Sequence, residues 1–139
     1  MSTVITKHGV TITPDAPSAR GRRGAAGVFL AAEALAFGAA SLVHKGVLTD
    51  GYQHFQAGVA EGVIAIALAL GLIVSLTRPR LTRAAGLAAQ GFALLGTCVG
   101  ITMIAIGVGP QSAFDVALHA GFVTLLVTGL IVTARRAAD

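Results

Sequence analysis

Tryptophan is absent from this 139-residue chain, aromatic residues make up 5% of it, cysteine occurs once and only 12% of the residues are charged. Each shortage excludes something. Cys98 has no second cysteine with which to form an intramolecular disulfide. A charge content this low, beside 55% hydrophobic residues and a mean hydropathy of +0.81, places the chain in the membrane class. The pI near 10.2 would suggest nucleic acid in a soluble protein, but no aromatic residues interleave with the basic ones to form a stacking surface, so nucleic acid is not an expected partner. No serine or cysteine stands in a nucleophile motif, and Cys98 lies in an apolar run that disfavours its thiolate, which sets hydrolytic chemistry aside. The alternation of a barrel strand is also missing.

What is present is four apolar stretches. Residues 24–43, 55–76, 84–108 and 113–134 each reach the roughly 20 residues that an α-helix needs to cross a bilayer. Their connections are short enough to make successive spans antiparallel neighbours. The expected fold is therefore all-α, a four-helix integral membrane bundle over 20–139, preceded by a polar tail over 1–19 with Pro14 and Pro17 and little to bury. A cleaved secretory signal is the poorer reading of the first span, because the run is too long and Glu33 sits in its middle. All the arginines fall before span 1 (Arg20, Arg22, Arg23), between spans 2 and 3 (Arg78, Arg80, Arg83) or after span 4 (Arg135, Arg136), whereas the other two connections hold only Lys45. The positive-inside rule then predicts both termini in the cytoplasm, with the lipid bilayer as the first partner. Interfacial anchoring rests on the arginines with Tyr52 and Phe114. Pro79 ends span 2, and Gly109 and Pro110 mark the turn before span 4. Gly96 with Gly100, Ala89 with Ala93, Gly58 with Gly62, and Gly38 with Ala39 offer small-residue surfaces for close helix packing.

The stretch from Tyr52 to Leu76 organises the rest, because it is a membrane span carrying His54, Gln56 and Glu61. A carboxylate inside a span is costly and marks a functional site by default. By the rise of a helix, Glu61 lies roughly 10 Å below His54, and Glu33 roughly 16 Å below His44, near mid-membrane. Asp115 and His119 share a face in the first turns of span 4, where the carboxylate is placed to receive the imidazole N–H. The expectation is a polar file open to the outside, in which Glu33, Glu61 and His119 handle a proton or ion and Glu61 pairs with His119. Burial disfavours a charged carboxylate, so each glutamate is expected to carry a proton or a partner. Taken singly, His44 and His54 read as rim residues solvating loop ends, Asp115 as a complement to the helix dipole, and Gln90 as an interhelical hydrogen-bonding group.

Three functions fit these residues. The first is a non-enzymatic protein whose outward-facing site binds or relays a proton or metal ion. A metal would draw on His54, Glu61, Asp115 and His119, with donors suited to zinc, iron or manganese, although no Glu-x-x-His pair is present. The second is a redox subunit linked to quinone or to a b-type haem, with His44, His54 and His119 as axial candidates. The third is a structural accessory bundle without a ligand. No cofactor, or a transition metal, is expected ahead of haem.

The segment AGVAEGVIAIALALGLIVSLTRPRLTRAAGL, Ala57 to Leu87, resembles the second-helix signature of DoxX-like small membrane proteins: an alanine-rich start, a glutamate, an apolar stretch ending Leu-Gly-Leu, and an arginine-bearing loop. The chain is also similar, through the turn GVGP at Gly107 to Pro110, to bacterial four-helix membrane proteins. The resemblance implies an inner-membrane bundle in a family that includes subunits of thiosulfate:quinone oxidoreductase, and hence other membrane or redox subunits as partners. Only Glu61 carries over, as the family's acidic residue. His44, His54 and His119 lie outside the matched segment and receive no role from it.

Overall fold

The computed structural model describes residues 5–7, 10–12 and 19–135, with only the backbone of residues 5–7, 10–12, 19, 20, 22 and 23. The rest of the tail over 1–19 and Arg136 lie outside the described residues. Two short strands, β1 (Ile5–Lys7) and β2 (Val10–Ile12), pair antiparallel with Ile5 opposite Ile12. Four helices follow: α1 (Ala19–His44), α2 (Phe55–Thr77), α3 (Thr82–Ala105) and α4 (Ala113–Ala134). All four are long and apolar enough to cross a membrane. They close an up-down ring in which α1 packs on α2, α2 on α3, α3 on α4 and α4 on α1.

Local chemistry sets the helix ends. The residue before Pro79 is pushed out of helical geometry, so α2 stops at Thr77 and a single 3-10 turn, Pro79–Leu81, leads into α3. Span 3 was expected to run to Val108 but ends at Ala105, because Gly107 takes a φ of +78° and the N–H groups of Val108 and Gly109 both return to the Met103 carbonyl. At the start of α4, Ser112 and Asp115 form a reciprocal capping box, the hydroxyl accepting from the Asp115 N–H and the carboxylate from the Ser112 N–H.

Leu30, Phe37, Leu68, Ala93 and Leu126 are buried along the axis, and the rings of Phe37 and Phe122 stack at 3.9 Å. The outward faces are apolar too, with Val28, Leu35, Val63, Ile66, Leu70, Leu95, Val116 and Ile131 exposed, as befits helices solvated by lipid. Lipid tails are as apolar as these side chains, so close packing rather than expulsion from water must hold the ring together. The glycines supply it. A Cβ on Gly58 would meet the Ser41 carbonyl oxygen of α1 at 3.1 Å, and one on Gly62 the Ser41 Oγ at 3.1 Å. Ser41 donates its hydroxyl to the Gly58 carbonyl at 2.6 Å. Gly38, by contrast, has nothing within 4 Å of where a Cβ would sit and Ala39 is exposed, so that pair is not a packing surface.

Candidate functional site

The ends of α1 and α3 and the starts of α2 and α4 meet at the arginine-poor end of the bundle, and there His44 joins three helices. Its ring is fully buried. Nδ1 lies 2.7 Å from Glu61 Oε2 on α2, and Nε2 lies 2.9 Å from Asp115 Oδ1 on α4. The same residue fixes the connecting loop, since its carbonyl accepts the His54 N–H at 2.8 Å. Asp115 is held from its other side by Ser112, whose hydroxyl and N–H both donate to Oδ2.

His44 is the main departure from the sequence expectation, which left it at the rim. A Cα–Cβ bond tilts toward the N-terminus of its helix. His44 ends a helix that runs toward this face, so its ring leans inward. Glu61 belongs to a helix that runs away from this face, so its carboxylate leans outward. Depth counted on Cα positions places the two apart; the side chains meet. The pairing expected between Glu61 and His119 is replaced by Glu61 and His44. His119 Nδ1 instead donates to the backbone carbonyl of Asp115 at 2.8 Å, not to its carboxylate, so that in the neutral form of the ring Nε2 is the acceptor edge.

The hydrogen bonds count protons. Each contact between a ring nitrogen and a carboxylate oxygen contains one proton, so Glu61, His44 and Asp115 share two. Two protons over two carboxyls and one imidazole leave one net negative charge, whichever atom of the His44–Glu61 bond carries the proton. One acceptor of the cluster is unused: Glu61 Oε1 is buried without a hydrogen-bond partner. Glu61 also lines a cavity of about 460 Å³ between α2, α3 and α4 at this end of the bundle. His54, Gln56 and His119 share its wall with Ile64, Thr97, Met103, Val108 and Phe122.

The other candidates are dispersed. His54 caps α2, its Nδ1 accepting the Ala57 N–H at 3.3 Å. Among the described residues no three His, Cys, Asp or Glu groups are disposed to hold a metal ion, so His54, Glu61, Asp115 and His119 do not form the expected ligand set. Haem ligation through His44 conflicts with a ring whose two nitrogens both face carboxylates. Glu33 is fully buried in the other half of the bundle, where Gln90 Nε2 donates to both its oxygens at 3.0 Å. Gly129 makes room for this pair: a Cβ there would collide with the carboxylate and the amide. The stacked Phe37 and Phe122 fall between Glu33 and the His44 cluster along α1 and α4. The polar file expected from the sequence is thus divided by an aromatic layer into two separate groups.

No family model matches the chain, nor does any curated protein or solved structure.

Proposed function

We propose that this chain is a small multi-pass membrane protein whose Glu61–His44–Asp115 cluster binds and exchanges a proton at one face of the bilayer. The observation that carries the reading is the buried His44 ring between two carboxylates on different helices. A buried polar cluster has to be satisfied as a set, and this one is, except at Glu61 Oε1. A third proton goes to that oxygen, through the cavity, and takes the cluster from one negative charge to neutral. His119 lies on the same wall and passes the proton between solvent and Glu61. Glu33 and Gln90 hold a second buried carboxyl beyond the aromatic layer and serve the pairing of α1 with α3.

The arginine distribution supports placing both termini, and the Arg78–Arg83 connection, in the cytoplasm, so that the cluster faces outward from a bacterial inner membrane. The resemblance of Ala57–Leu87 to DoxX-like proteins supports a role as the proton-handling subunit of a redox assembly, with chemistry supplied by its partners. Infrared titration of the protein in vesicles tests the proton site. A carboxyl band that gains one proton on mild acidification and disappears in Glu61→Gln is expected. The same band persisting in Glu61→Gln would refute the assignment.

A further inference from the structure

The cavity beside the cluster has its own chemistry. Its volume, about 460 Å³, falls in the range of small-molecule sites. Its walls are mostly apolar, with the Phe37 and Phe122 rings at one side and Ile64, Val99 and Met103 around them. Among the described residues no lysine or arginine lines it. Its polar lining comes from His54, Gln56, Glu61, Thr97 and His119. Glu61, 94% buried by its 6% exposure, lines it and has a buried oxygen without a partner. The Nε2 edge of His119 is aimed along the same wall at Gly100, where a Cβ would lie 2.8 Å away. Gly100 therefore keeps the wall open in front of the imidazole.

Two acceptors and a net negative cluster at one side of an apolar chamber select a ligand with an apolar body and a cationic hydrogen-bond donor. We propose that this cavity binds a small lipophilic amine in its ammonium form, with an N–H donated to Glu61 Oε1, a second to His119 Nε2, and the apolar group against Phe37 and Phe122. An anion meets the charge of the cluster with no cation to receive it, and a purely apolar molecule leaves the Glu61 oxygen without a partner at the same cost as before.

The inference rests on the proton-site reading in one respect: ammonium and the third proton compete for the same oxygen. The charged or titratable groups around Glu61 and its cavity are His44 from α1, His54 at the start of α2, and Asp115 and His119 from α4, with Lys45, just past the end of α1, reaching toward Gly62. α3 contributes no charged or titratable group to the wall, only the Thr97 hydroxyl, two glycines, Val99 and Met103. Ammonium binding to protonated Glu61 accordingly releases one proton. No covalent or redox step is involved.

The test uses the full chain in micelles, with benzylamine as the amine and toluene as its apolar counterpart, followed by ligand-observed nuclear magnetic resonance. Benzylamine should bind saturably, and Glu61→Gln should weaken it about tenfold or more, the loss of a charge-assisted hydrogen bond. Toluene should be insensitive to that substitution. Ala60→Phe, which fills the cavity from an exposed position of α2 without removing a polar group, should abolish benzylamine binding while leaving the infrared titration of Glu61 in place. Benzylamine binding that is unchanged in Glu61→Gln or in Ala60→Phe overturns the amine site. Loss of the Glu61 titration in the wild type overturns the proton reading instead, so the two failures are distinguishable.

Discussion

Replacing His44 by alanine should be among the most damaging single changes in the molecule, and the structure fixes why. The imidazole is fully buried and is the partner of Glu61 Oε2 at 2.7 Å and of Asp115 Oδ1 at 2.9 Å, with those two side chains only 7% and 3% exposed. Its removal leaves two carboxyl groups facing each other across a vacated site, with no protein donor for Glu61 and with Asp115 reduced to its Ser112 contacts. Breaking a buried charge pair by deleting one partner costs about 3–5 kcal/mol. Two charge-assisted hydrogen bonds, at about 1.5–3 kcal/mol each, give a similar figure. The assay is unfolding in mixed micelles followed by far-ultraviolet circular dichroism, for His44→Ala in the wild type and in a Glu61→Gln background. The amide at position 61 has already removed one charge, so the same histidine deletion should cost less there, with a coupling of about 0.5–3 kcal/mol. A cost below about 1 kcal/mol in the wild type, or equal costs in both backgrounds, would refute the bridged arrangement.

Glu33→Gln should fold and lose no more than about 1 kcal/mol, since an amide still accepts from Gln90, whereas Glu33→Leu strands a buried amide and should lose about 1–3 kcal/mol in the same unfolding assay. Gly129→Ala should destabilise the bundle by about 1–3 kcal/mol because its Cβ meets the Glu33 carboxylate, while Gly121→Ala on the same helix, with open space beside it, should be neutral or stabilising. For topology, a Cys98→Ala background is needed because Cys98 is exposed. There, cysteine at Thr49 should react with an impermeant reagent on intact cells and cysteine at Arg80 should not. Thr82 is unsuitable because it is buried and bonded to the carbonyls of Ser75 and Pro79. Equal labelling at both positions would reverse the orientation drawn from the arginines.

The four helices were legible because hydrophobic length and punctuation by Pro79, Gly109 and Pro110 act locally, and their observed ends fall close to the expected ones apart from Val108 and the start of α1 at Ala19. That Glu61 is a buried residue of the site was legible for the same reason: a carboxylate in an apolar span has few places to go. Its partner was not. Helical rise locates Cα atoms along the axis, but a side chain is displaced from its own Cα by part of a turn, in a direction set by chain polarity. Applied to antiparallel α1 and α2, that tilt sends His44 inward and Glu61 outward and would have paired them. The Phe37–Phe122 stack, which separates Glu33 from the cluster, depends on how α1 and α4 are rotated about their axes, and no single-helix pattern carries that information.

The ring of His44 offers the most direct measurement. With the histidines labelled with nitrogen-15, each His44 ring nitrogen should report a hydrogen bond to its own carboxylate: Nδ1 should shift in Glu61→Gln and not in Asp115→Asn, and Nε2 the reverse. Two nitrogens that ignore both substitutions and titrate as a solvent-exposed imidazole would contradict the cluster and the proton site built on it.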